Sequence, residues 1–137
     1  METMLFFQSE KVISVDLQST AKESALFKVV FGILKEWDLS QIELSVLLKR
    51  SQTTISDWKR KRAISFSKNL DMNDYQVLQF IELYKVLSNL FVLKKDQVAW
   101  LRDPNKAMSM KSPLKLIEED PRHLGALLKM MNQLVNP

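Results

Sequence analysis

The chain contains no cysteine, two glycines and one histidine among its 137 residues. The absence of cysteine excludes a disulfide framework and thiolate chemistry. Two isolated glycines cannot form a glycine-rich phosphate loop. His123 has no cysteine or clustered carboxylates to complete a metal site, and Glu118, Glu119 and Asp120 are consecutive, so they do not converge on one helix face. We therefore predict no catalytic residue, cofactor or metal, and we expect a protein that is not an enzyme.

Long apolar runs and strand-like alternation are also scarce. No run approaches the roughly 20 apolar residues that span a bilayer, and the apolar stretch 4–7 is too short for the core of a signal peptide. The length is enough for one compact domain or for two small ones that share a core. We expect a cytoplasmic, all-α protein with no membrane association.

The stretch 39–59 predicts a helix, a tight turn and a second helix. Ser40 and Glu43 have the spacing of a capping box, and Ser51 can cap the second helix. Apolar residues recur three and four apart in each helix, which predicts one buried stripe per helix. These stripes consist of Leu44, Leu47 and Leu48 in the first helix and Ile55 and Trp58 in the second.

The outer face of the second helix is polar at its start and basic at its end. Residues 49–62 contain six basic residues and one acidic residue, a net charge of +5, while the whole chain carries +4. Such a local patch is typical of phosphate binding. The candidate DNA-binding residues are Gln41, Ser51, Gln52, Thr53, Thr54, Ser56, Asp57, Lys59, Arg60 and Arg62.

This segment resembles the helix-turn-helix of Xre-type, lambda repressor-like regulators. The residues that match their pattern are Leu39, Ser40, Gln41, Glu43, Leu44, Leu48, Ser51, Thr54, Ile55, Ser56 and Trp58. At the turn, Lys49 replaces the usual glycine and would have to adopt a positive φ, and Arg50 replaces an apolar residue. The resemblance implies a DNA-binding domain over residues 19–66 that binds a two-fold operator in double-stranded DNA as a homodimer.

Helix signals continue on both sides of this segment. Residues 1–18 are interpreted as an N-terminal arm, and Thr20 with Glu23 predicts a capped helix from about 21 to 37. After residue 66 we expect a long helix from Asp71 or Asn73 to about Phe91. Further helices are predicted at about 96–102, after Ser112-Pro113 and after Asp120-Pro121.

Residues 67–137 resemble the toxin-binding domain of the Xre/MbcA/ParS antitoxin family. The matching residues are Trp100, Leu101, Pro104, Asn105, Ala107, Ser112, Pro113 and Leu116. The resemblance implies a lambda repressor-like helix-turn-helix bundle followed by a small helical toxin-binding domain. It also implies a type II antitoxin whose last segment blocks a toxin, commonly of the RES fold and acting on NAD, and which represses its own promoter. The residues that it assigns to toxin binding are Arg102, Asn105, Lys129, Met130, Asn132, Gln133, Leu134, Val135, Asn136 and Pro137.

The residues themselves leave several alternatives open. Trp100, Leu114 and Ile117 are read as core residues rather than partner contacts. The last helix is apolar on more than one face, because Met130 and Met131 are adjacent, so it could pack in a partner's groove or in a homodimer. The protein could be a toxin-neutralising repressor, a stand-alone regulator, or an interaction protein whose helix-turn-helix no longer binds DNA.

Overall fold

The computed structural model describes residues 11–66 and 69–136, with side chains from residue 21 onward. The secondary structure of this part of the chain consists of helices and one isolated β-bridge, with no β-strand, which confirms the predicted all-α class. The elements are α1 (Lys11–Glu36), α2 (Gln41–Leu48), α3 (Gln52–Lys61), α4 (Met72–Leu90), α5 (Lys94–Arg102), a 3-10 turn (Lys106–Met108), α6 (Pro113–Glu119) and α7 (His123–Val135). None of these helices is long and apolar enough to cross a membrane.

Helix α1 begins at Lys11, about ten residues earlier than the sequence predicts. Thr20 therefore lies inside the helix, and the predicted capping box with Glu23 is wrong. No glycine or proline precedes Thr20 to stop the helix, and a capping pattern alone does not end one. Residues 11–18 of the predicted arm are helical, and residues 1–10 lie outside the described part of the chain.

The helix starts in the second half follow the predicted signals closely. Asp71 caps α4 by accepting a hydrogen bond from the Asp74 backbone N–H at 2.8 Å. Ser112 caps α6, with Pro113 at its first position. Helix α7 starts at His123, two residues after the predicted Asp-Pro signal, because Asp120 instead accepts a hydrogen bond from the backbone N–H of Arg122.

One apolar cluster joins the helices on both sides of the predicted boundary at residue 67. Helix α4 lies at its centre and packs against α2 and α7, while α6 packs against α2, α5 and α7. Trp37, the residue after the end of α1, packs edge-on against Phe80 of α4, with ring centroids 5.8 Å apart. The two predicted regions therefore share a core rather than forming separate ones.

Buried side-chain amides connect this core across long sequence distances. Gln76 of α4 donates hydrogen bonds to the carbonyl oxygens of Leu47 at 2.9 Å and Pro121 at 3.0 Å. Gln97 of α5 accepts one from the Trp37 indole N–H at 3.0 Å. A buried polar group is stable only when it is hydrogen-bonded, so these bonds define how α2 and α1 sit against the second half.

Candidate DNA-binding and partner-binding surfaces

The helix-turn-helix is built from the local contacts that the sequence predicts. Ser40 accepts a hydrogen bond from the Glu43 N–H at 3.0 Å, and Glu43 accepts one from the Ser40 N–H at 2.9 Å. Ser51 accepts a hydrogen bond from the Thr54 N–H at 3.1 Å. Lys49 has φ 56°, the left-handed conformation that was predicted for this position and that glycine adopts most easily. The predicted helix, turn and helix are therefore confirmed.

Arg50 has a structural role that the sequence did not indicate. Its guanidinium forms a 2.6 Å ion pair with Asp74 of α4 and lies over the Trp58 ring, 5.7 Å from the centroid. Asp74 is only 1% exposed. Arg50 therefore joins the turn to α4, and it does not belong to the exposed basic patch in which the charge count placed it.

Helix α3 presents one polar face to solvent. Ile55 and Trp58 are buried and anchor its inner side. Because each residue advances about 100° around an α-helix, its exposed residues lie together on the opposite side. We call this exposed set the recognition face, formed by Gln52, Thr53, Ser56, Lys59 and Arg60. Short hydrogen-bonding side chains at one end and cations at the other suit base edges and phosphates respectively.

Several of the candidate DNA-binding residues are held by neighbours in the free protein. Gln41 at the start of α2 donates a hydrogen bond to the Ser56 hydroxyl at 2.9 Å, which places it beside the recognition face. Thr54 is half-buried and accepts a hydrogen bond from the Ser51 hydroxyl, so both residues serve the cap. Ser51 and Thr54 thus position the helix, and Gln41 and Ser56 can exchange their mutual bond for one to DNA.

Asp57 moderates the charge at the end of α3. It accepts a hydrogen bond from Arg60 and forms an ion pair with Lys61 at 3.1 Å. The hydrogen bond from Lys61, followed by that from Arg60, lowers the pKa of Asp57. Residues 49–62 expose five cations and contain one carboxylate, that of Asp57; the cations are Lys49, Lys59, Arg60, Lys61 and Arg62. The exposed patch therefore keeps a net charge of +4 without Arg50.

Two of the candidate toxin-binding residues make contacts within the chain. Arg102 at the end of α5 pairs with Glu43 at 3.0 Å and donates a hydrogen bond to the Asp38 carbonyl at 3.0 Å. The hydrogen bond from Arg102 lowers the pKa of Glu43 and raises that of Arg102. Asn105 accepts a hydrogen bond from the Ala107 N–H at 2.9 Å and shapes the 3-10 turn. Both residues lie outside α7, which carries most of the set.

Helix α7 buries one side and exposes an apolar edge. Leu124, Leu127, Leu128 and Met131 are buried, whereas Met130 is 39% and Leu134 is 67% exposed. We call Met130 and Leu134, which lie one turn apart, the terminal apolar edge. The candidates Lys129, Asn132, Gln133 and Asn136 are also exposed, and Val135 is half-buried. Pro137 lies outside the described residues.

Trp100 is only partly buried, although the sequence places it in the core. It lines an open pocket of 370 Å³ together with Phe91, Asp96 and Asp103. Its neighbour Leu101 is 1% exposed and anchors α5. Leu114 and Ile117 are buried as predicted.

Basic residues of α1 lie beside the recognition face, and sequence analysis did not single them out. Lys28 and Lys35 line a groove with Lys59 and Arg62 of the α3 end. Lys28 and Lys35 are seven residues apart, and this spacing could have predicted that both lie on one face of a helix. Among the described residues, no group of three or more acidic or histidine side chains could hold a metal ion.

No protein-family model matches the chain. Among curated proteins, it is similar to a uridine kinase of Ureaplasma urealyticum serovar 10 (strain ATCC 33699 / Western), with 22% identity over 102 residues. That match covers 74% of this chain and 49% of the kinase, so the chain spans about half the length of that relative.

Among solved structures, the chain is similar to a chain of the M. tuberculosis MbcT-MbcA toxin-antitoxin complex. The TM-score is 0.53 at 16% sequence identity, and the match covers 82% of this chain and 97% of that chain. At this identity the likeness shows a shared fold.

Proposed function

We propose that this protein is an antitoxin that binds promoter DNA through α3 and a toxin through α7. The observation that carries the proposal is the recognition face, a polar and basic helix surface held rigidly by a capped turn. The fold shared with a chain of a toxin–antitoxin complex supports the second activity.

For DNA binding, α3 would enter the major groove of the operator. Gln52, Thr53 and Ser56 would meet base edges, whereas Lys59 and Arg60 would hold phosphates. The protein would act as a homodimer, because two copies of the helix read a two-fold site. The double exchange of Thr53 and Ser56 to alanine is expected to lower selectivity for the promoter of its own operon over unrelated DNA.

For toxin binding, the terminal apolar edge is the proposed docking site. An exposed Met–Leu pair on this helix offers apolar area that no residue described in the structure covers. Exposed polar residues beside it, such as Gln133, would form the rim of the interface. The proposed partner is a RES-type toxin that acts on NAD in the cytoplasm, as the sequence resemblance implies.

The test of the proposal is a growth assay with the adjacent gene of the same operon. That gene is expressed alone and then with this protein, while viability and cellular NAD are followed. Toxicity that co-expression relieves, with a fall in NAD in the absence of this protein, is the expected result. Toxicity that this protein cannot relieve would contradict the antitoxin function and leave a stand-alone regulator.

The structure identifies which variants make this assay informative. Deletion from Met131 would remove a core side chain, because Met131 is 1% exposed, and loss of rescue could then reflect unfolding. The double exchange M130D/L134D changes exposed side chains and is expected to abolish rescue. The matched control is V92D, since Val92 is 91% exposed and lies between α4 and α5. Rescue by M130D/L134D would exclude the terminal apolar edge.

We further propose that the protein binds its partners without catalysing a reaction. The chain's two glycines, Gly32 and Gly125, both lie within helices, where they cannot form the loop that cradles nucleotide phosphates. Because this loop cannot form, we do not extend kinase activity to this chain from its similarity to a uridine kinase. Incubation with uridine and a nucleoside triphosphate is expected to give no phosphorylated product.

A further inference from the structure

We propose that α1 carries a second phosphate-binding surface, formed by Lys28 and Lys35, which holds the DNA backbone beside the recognition face. This inference rests on the DNA-binding half of the proposed function and names residues outside the helix-turn-helix. It starts from a groove of 460 Å³ between α1 and the end of α3.

The groove is cationic on both walls. Lys28 and Lys35 stand on one face of α1, two turns apart, and Lys59 and Arg62 stand on the α3 side. None of these four cations forms an ion pair with any residue that the structure describes. This contrasts with Arg60 and Lys61, which share Asp57. The groove therefore concentrates positive charge that no acidic side chain among the described residues neutralises.

The floor of the groove is apolar. Phe27 and Phe31 stack with ring centroids 4.5 Å apart and are half-buried against the core. A cleft lined by charge of one sign over low-dielectric walls focuses the field and attracts polyanions. Lys28 and Lys35 are separated along the helix axis by about 10 Å, at 1.5 Å per residue. Such a separation suits a row of phosphates better than one small anion.

The position of the groove favours duplex DNA as its occupant. Lys59 belongs both to the recognition face and to the groove wall, so the two surfaces are continuous. Ser56, one turn before Lys59, is bonded to Gln41 at the start of α2. A strand that flanks the major groove occupied by α3 would therefore pass from Gln41 over Lys59 to the lysines of α1.

Gly32 allows a closely matched test, because it lines the groove and a Cβ at this position meets no atom within 4 Å. Gly32→Glu places a carboxylate among the four cations, and Gly32→Gln places a neutral side chain of the same shape there. Both replace a glycine inside a helix, so both are expected to fold at least as well as the wild type. A difference between them in DNA affinity reports charge alone.

The experiment measures binding of the full chain to a 20-base-pair duplex of unrelated sequence and to the promoter fragment, from 50 to 200 mM salt. Gly32→Glu is expected to bind both roughly tenfold more weakly than Gly32→Gln. The double variant K28A/K35A should lose roughly 10- to 100-fold at about 0.1 M salt and flatten the salt dependence by about two phosphate contacts. The preference for the promoter should persist, because phosphate contacts carry no sequence information.

The control for lost charge is K94A/K95A, which removes two exposed lysines from the first turn of α5. Equal binding by K28A/K35A and K94A/K95A, with a wild type that binds DNA, would overturn this inference and leave the proposed function intact. A wild type without DNA binding would overturn both. Full DNA binding by K28A/K35A with loss of toxin rescue would assign the groove to a protein partner instead.

Discussion

The α2–α3 unit and the second half of the molecule are held together by different kinds of contact. In the α2–α3 unit, Ser40 bonds Glu43 and Ser51 bonds Thr54, each three residues away. In the second half, Gln76 bonds carbonyls 29 and 45 residues away. Local contacts leave a pattern in the sequence, whereas distant ones leave none. The helix caps of both regions are therefore readable from the sequence, whereas the packing that joins the two regions is not.

The outer surfaces of the two regions also differ, in polarity. Helix α3 buries its apolar residues and exposes polar and basic ones, whereas α7 exposes Met130 and Leu134 beside its buried stripe. A polar face can stay solvated until DNA replaces water and counter-ions. An apolar edge gains free energy when another protein covers it. The two helices are therefore suited to two different classes of partner.

The largest expected effect tests the contact that joins the two regions. Arg50→Ala removes the ion pair with Asp74, a carboxylate that is 1% exposed, and should lower the free energy of unfolding by about 3 kcal/mol. Urea denaturation measures it, with Lys49→Ala as the exposed neighbour control. A loss no larger than that of the control would mean that the regions do not depend on this pair.

The next effect tests the long-range amide. Gln76→Leu removes the hydrogen-bond donor for the Leu47 and Pro121 carbonyls, and the free energy of unfolding should fall by about 2 kcal/mol. Gln133→Leu, an exposed change on α7, should leave stability within about 0.5 kcal/mol. Equal stability of the two variants would remove the distinction between local and distant contacts in this fold.

The third prediction concerns the turn within the local unit. Lys49 has φ 56°, so Lys49→Gly should stabilise the protein by about 1 kcal/mol. Lys59→Gly, inside α3, should destabilise it by a similar amount, about 1 kcal/mol. Thermal denaturation at pH 7 compares the pair, and effects of the same sign would contradict the left-handed turn.

The smallest effect concerns the surface pair that ties α5 to α2. Arg102→Ala should lower the free energy of unfolding by less than about 1 kcal/mol, because its ion pair with Glu43 is partly solvent-exposed. Arg102 lowers the pKa of Glu43 below its ordinary value of 4.5. A carboxylate whose pKa is lower in the folded than in the unfolded state stabilises the fold at pH values above its unfolded-state pKa. This stabilisation is lost as the pH falls through the folded-state pKa. The variant should therefore lose less stability than the wild type between pH 7 and pH 3.

Urea denaturation at both pH values measures this difference, and a proton NMR titration follows Glu43 directly. In Arg102→Ala the pKa of Glu43 should move up toward its ordinary value. An unchanged titration would show that the capping bonds from Ser40, which also lower this pKa, are sufficient by themselves.

Predictions from the sequence succeeded where neighbours along the chain decide the outcome. The caps at Ser40, Ser51 and Ser112 are as predicted, because each depends on a backbone N–H three residues away. The predicted start of α1 was wrong, since a capping pattern at Thr20 does not begin a helix when the preceding segment, which contains no helix breaker, is itself helical. Trp100 was assigned to the core, and it packs against the core while part of its side chain lines an open pocket.

The candidate surfaces follow the same division. The five residues of the recognition face were all among those predicted for the outer side of α3, because burial of Ile55 and Trp58 leaves only one outward side, but Thr54, also predicted there, is half-buried. Arg50 was counted as surface charge, and its burial could not be foreseen because Asp74 lies 24 residues away. Lys28 and Lys35 were not predicted as part of any site, because only packing brings α1 beside Lys59.

The sequence by itself determined an all-helical chain, a capped helix-turn-helix and an apolar last helix. These follow from period, capping and composition, which act over a few residues. The tertiary structure decided which cations are free, which polar groups hold the core and how the two regions share it. Such outcomes depend on contacts between residues that are distant in sequence, and the type of a residue does not indicate which distant residue it will contact.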